Sequence, residues 1–163
     1  MVVELAKFKE MRAMENKLNK GKRRGQLIVD KLEDANEAGG RKASQCTLIL
    51  TEGDSAKALA MAGLEIVGRD LFGVYPLRGK MLNVRDASLQ AIKDNKEIKE
   101  LTDILGLQIG KTYHSKEERA ALRYGHVMIM ADQDQDGSHI KGLVINFISY
   151  FWPSLIHGNF FLR

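Results

Sequence analysis

The stretch QCTLILTEGDSAKALAMAGLEIV, residues 45–67, decides the fold. Its first part, QCTLILT, is a short aliphatic and β-branched run, the composition of a buried strand. EGDS breaks the run, and in the following AKALAMAGLEIV the residues Leu59, Ala62 and Ile66 keep helical spacing and are expected to share one face. The pattern recurs further along. LFGVYP (71–76) reads as a second strand, stopped by Pro76. Leu89 and Ile92, then Ile98, Leu101 and Leu105, keep helical spacing, and Ser115 followed by Glu118 forms a capping box opening another short helix. HVMIMA (126–131) is a third strand. Ile140, Leu143, Val144, Phe147, Ile148 and Phe151 then fit a single helical stripe, with Pro153 closing that helix. Strands alternating with helices predict an α/β fold, a Rossmann-like parallel sheet with helices on both faces.

A chain of 163 residues is the size of one ordinary domain. No apolar run reaches the length of a membrane span, and the N-terminus is too charged for a secretory signal, so no membrane partner is expected. Cys46, the one cysteine, excludes an internal disulfide framework and suits a reduced intracellular setting. Residues 1–44 hold 11 Lys and Arg against 7 Asp and Glu, whereas 45–163 hold 14 of each, so the net charge of +4 sits in the leader. Within it, Leu5, Phe8, Met11, Met14 and Leu18 predict an amphipathic helix over 3–19. KLNKGKRRG (17–25) is a basic cluster, by count a solvated turn rather than a polyanion site. Glycines at 21, 25, 39 and 40 then predict a division into a helix and basic linker, 1–44, belonging to an upstream domain, and a compact domain, 45–163.

Ligands of parallel sheets collect beyond the carboxyl ends of the strands. Two apolar strands here end in acid: Glu52 follows TLILT, and Asp132 follows VMIMA. If the strands are neighbours, the two carboxylates converge. Asp134 and Asp136 continue the acidic run. Asp54 and Asp136 stand where helix N-caps are expected, whereas spacing alone does not choose between a metal site and solvated carboxylates for Asp132 and Asp134. Ligands of this kind, hard oxygens with no Cys or clustered His, suit Mg2+, with Mn2+ as a substitute. Arg78, Lys80 and Arg85 in PLRGKMLNVR could neutralise nearby phosphates.

Three other readings compete. An EF-hand at DQDQDG lacks its twelfth-position Glu, the place being taken by Leu143. A P-loop at GVYPLRGKM has one residue too many between Gly73 and Gly79, and Met81 where a Ser or Thr is needed. A phosphoacceptor domain of the response-regulator type accounts for Glu52 and Asp132 but leaves the basic loop idle.

EGDSA, PLRGKMLNVRDAS, LRYG and DQDQDGSHIKGL, in that order over about residues 31–163, resemble the Toprim region of type IIA DNA topoisomerases. KLEDANEAGG, the DQD triplet and SHIKGL are closer to the eukaryotic branch than to gyrase. Another Toprim enzyme, such as a primase or nuclease, would share the acids but not PLRGKMLNVRDAS. The resemblance implies an ATP-dependent, homodimeric, nuclear enzyme that cuts one DNA duplex, passes another through it and reseals it. Carried over, Glu52, Asp132 and Asp134 hold Mg2+ (Mn2+ or Ca2+ substituting), with Asp136 an outer ligand and Glu52 assisting proton transfer; Arg78, Lys80, Asn83 and Lys141 lie along double-stranded DNA. The family's nucleophilic tyrosine and its ATPase domain lie outside the matched region, so the chain alone is expected not to cleave DNA.

Overall fold

A computed structural model describes residues 27–157 and 160–162. The leader helix expected at 3–19 and the basic cluster at 17–25 lie outside these residues. Four strands form one sheet: β1 (Thr47–Glu52), β2 (Phe72–Leu77), β3 (His126–Met130) and β4 (Phe161–Leu162), in the order β2-β1-β3-β4. All three pairings are parallel. The helices are α1 (Gly53–Val67), α2 (Leu89–Asp94), α3 (Lys96–Leu105), α4 (Lys116–Arg119), α5 (Gln135–Phe151) and α6 (Pro153–Ile156). The two-residue β4 carries no pattern long enough to be read from sequence.

Burial on both faces explains the unbroken apolar run of β1. Leu48 and Leu50 point into the larger core with Ile98, Leu101, Ile140, Val144 and Phe147, while Ile49 points the other way, onto Ala60 and Leu64 of α1. Every member of the predicted α5 stripe is buried. The capping box is present, with Ser115 Oγ accepting from the Glu118 amide and Glu118 accepting from the Ser115 amide at 3.0 Å.

One local expectation is corrected. Pro76 does not stop the second strand; it lies inside β2, opposite Thr51, and the strand runs to Leu77. β2 is the outermost strand, and the Val74 amide points outward to Glu33 O at 2.8 Å. By the twofold strand period the Pro76 nitrogen faces the same way, so no ladder bond to β1 is lost. Leu59, Ala62 and Ile66 of α1 do share one face, which is the solvent side, with Leu59 65% and Ile66 87% exposed, while Ala60 and Leu64 meet the sheet. Since α1 is apolar on more than one side, spacing identifies its stripes but not which one is buried.

The described part of the 1–44 segment packs against the domain. Glu33 makes an antiparallel bridge to Val74, and the Asp34 carboxylate takes both the Arg123 guanidinium and the Tyr124 hydroxyl. That hydroxyl accepts from the Ala35 amide at 2.9 Å and lies so close to Gly73 that a β-carbon there would come within 2.2 Å of it.

Candidate metal centre and nucleic-acid edge

From β1 the chain crosses through α1 to β2 on one side, and later returns to β3 on the other side of β1. The carboxyl ends of β1 and β3 therefore flank the point where strand order reverses, the usual ligand crevice of such sheets. Glu52 closes β1, and register pairs Thr51 with Met130, which brings the loop after β3 alongside. The two strand ends meet through the backbone: the Asp132 amide donates to Glu52 Oε2 at 3.3 Å.

Asp134 and Asp136 are otherwise engaged. Asp134, not Asp136, is the N-cap of α5, its Oδ1 accepting from the Gly137 amide at 2.7 Å, because the helix starts earlier than its apolar stripe. Gly137 is required by close approach, since a β-carbon would come within 1.9 Å of the Asp132 carbonyl. Asp136, in the first turn, pairs with Lys80 at 2.8 Å, and this ammonium holds its carboxyl below the usual range. Asp54 is likewise no cap. It lies in the first turn of α1 and pairs with Lys31 at 2.8 Å, which lowers its pKa.

Among the described residues, no three or more acidic, His or Cys side chains are gathered into one cluster. Glu52, half-buried, and Asp132, exposed, instead stand at the ends of neighbouring strands. Such a set fits magnesium, which retains several waters and commonly takes one or two carboxylates together with phosphate oxygens. On the β2 side of Glu52, an open hollow of about 420 Å³ is lined by Lys31, Glu52, Gly53, Asp54, Pro76, Leu77, Arg78 and Gly79.

The loop after β2 is anchored from below by Met81 and Val84, both buried, which leaves Lys80 and Arg85 at the surface. Two contacts fasten it over α5: Lys80 to Asp136, and Asn83 Oδ1 accepting from Asn146 Nδ2 at 3.0 Å. Asn83 thus joins the loop to the helix and also bonds Asp86. Lys141 stands half-buried on α5. Arg78 follows β2 directly; its amide donates to Glu97 Oε1 at 2.8 Å, and its guanidinium lies 3.6 Å from Asp30 and 3.9 Å from Glu100. Sequence reading passed over Lys31, Glu97 and Glu100. No local signal distinguishes a carboxylate that reaches a neighbouring loop from one on a solvated helix face.

A parallel sheet with acids where its strand order reverses, bordered by a pinned basic loop, defines a class of Rossmann-like α/β domain. Residues 47–160 match the Toprim domain, and the chain belongs to that family. It is 54% identical over 159 residues to human DNA topoisomerase 2-alpha and 60% identical over 157 residues to DNA topoisomerase 2 of Pisum sativum. Those alignments cover 98% and 96% of this chain, which spans about a tenth of the length of each relative. In structure it is similar to the Plasmodium falciparum topoisomerase II DNA-binding, cleavage and re-ligation domain, with a TM-score of 0.80 and 56% identity over 85% of this chain and 19% of that one.

Proposed function

We propose that the chain is the metal-binding portion of an ATP-dependent type II DNA topoisomerase, a nuclear homodimer that cuts one duplex, passes a second through it and reseals the first. Glu52, Asp132 and Asp134 would hold Mg2+, with Asp136 as an outer ligand and Mn2+ or Ca2+ as substitutes; ATP would bind outside these residues. When bound, the ion supplies charge stabilisation at the scissile phosphate. Glu52 carries a carboxylate to that position for proton transfer during resealing. Arg78, Lys80, Asn83 and Lys141 orient the duplex through its backbone without reading sequence.

The contact between the Asp132 amide and Glu52 carries this reading, because it joins the ends of two strands separated by 80 positions in sequence. The test is an NMR titration with Mg2+ followed by trace Mn2+, on the native chain and on Glu52→Gln. Amides beside Glu52 and beside Asp132 are expected to broaden together, and the substitution to weaken both. Broadening confined to 132–137 and indifferent to Glu52 would remove the shared site.

A further inference from the structure

We infer that Glu97 and Glu100 of α3 are positioning residues for the phosphate-binding loop, setting where Arg78 stands relative to Glu52 at the metal edge. The inference rests on the reading that this edge takes duplex DNA and goes beyond it in naming what aims the loop. Register places Leu77 opposite Glu52, so Arg78 is the first residue past the acid's partner on the neighbouring strand. Its amide has left the ladder and is taken by Glu97 Oε1 at 2.8 Å. One turn along α3, Glu100 lies 3.9 Å from the Arg78 guanidinium. Glu100 is itself fixed: its side chain is 12% exposed, and its Oε2 accepts from the hydroxyl of buried Tyr75 at 2.7 Å, with Lys96 at 3.5 Å from its other oxygen. The amide of Arg78 is therefore held by a helix rooted in the core through Ile98 and Leu101, and its guanidinium lies between Glu100 of that helix and Asp30, 3.6 Å away.

Charge makes the arrangement informative. Two carboxylates beside a loop that takes phosphates repel the polyanion, so deleting either should tighten binding if charge alone mattered. Burial already disfavours the ionised form of Glu97. Neither carboxylate helps the duplex electrostatically, which leaves geometry as the contribution each makes.

The test measures affinity for a fluorescent duplex oligonucleotide in Mg2+ against salt concentration, with the thermal midpoint of each variant recorded. Glu97→Met keeps the stem and removes the acceptor; it is expected to weaken binding about fivefold and to lower the salt slope by about 0.9, one phosphate contact, although a negative charge has gone. Glu97→Gln, which still accepts from the Arg78 amide, is expected to restore both. In an Arg78→Ala background, Glu97→Met should cost nothing further. If Glu97→Met melts without cooperativity, Glu100→Gln decides, since it keeps an acceptor for Tyr75 and loses only the charge; about twofold weaker binding supports the inference. Unchanged or tighter binding by the folded variants overturns it while the DNA reading stands. Failure of the native chain to bind the duplex at any salt concentration overturns both.

Discussion

Lys80 joins the basic loop to the acidic one, and single residues at this junction carry sharp expectations. Its ammonium meets Asp136 at 2.8 Å with both side chains more than half exposed, so the pair adds little to stability and much to local charge balance. The pair lowers the Asp136 pKa below its ordinary 3.8. A depressed carboxyl contributes above its unfolded value and loses that contribution as pH falls through the folded one, so the link between the loops should open only in acid. Carboxyl-detected NMR should show Asp136 titrating below 3.8, and in Lys80→Gln its midpoint should rise toward that value. Gly137 is constrained by volume, not charge. Gly137→Ala forces a methyl group onto the Asp132 carbonyl and is expected to cost about 2 kcal/mol in urea unfolding, with the largest amide shifts at 131–134.

At the scale of elements, α1 separates what pattern reveals from what only packing decides. Leu64→Ala should cost about 2–3 kcal/mol in denaturant unfolding, because Leu64 is buried against Ile49 and Val74. Leu59→Ala, on the stripe that sequence spacing singled out, should stay within about 0.5 kcal/mol. A reversed order would mean that α1 docks by its other side. The long α5 was legible because its apolar residues fall on one stripe, and so was the capping box, whose two partners are three residues apart. The strand ends Glu52 and Asp132 were legible too, since an acid behind an apolar run marks a strand's carboxyl end whatever the strand order. The cap of α5 was misassigned because its first turn is polar and invisible to hydrophobic periodicity. Pro76 misled because a proline's effect depends on which way its nitrogen faces, and that follows from strand order.

For the whole molecule, sheet order determines how distant pieces of sequence meet. With β1 central, its end is bordered by Arg78 on one flank and Asp132 on the other, so the basic and acidic loops leave the sheet on opposite flanks of Glu52 and meet where Lys80 pairs with Asp136. Segment 30–35 completes the arrangement from outside the strands. Lys31 reaches Asp54 at the start of α1, Glu33 bridges to Val74, and Asp34 ties down Arg123 and Tyr124. The Glu33 bridge also has a colloidal consequence. Without it, the Val74 amide and carbonyl would stand unpaired on the outer edge of β2, between Phe72 and Tyr75, a point at which a second chain could add itself. A chain shortened to begin at residue 45 should therefore self-associate, giving rising light scattering with concentration at temperatures where the longer chain scatters as a single species. In that light the short acidic segment beside the sheet acts as a solubility guard, shielding a domain that handles one polymer from becoming a polymer itself.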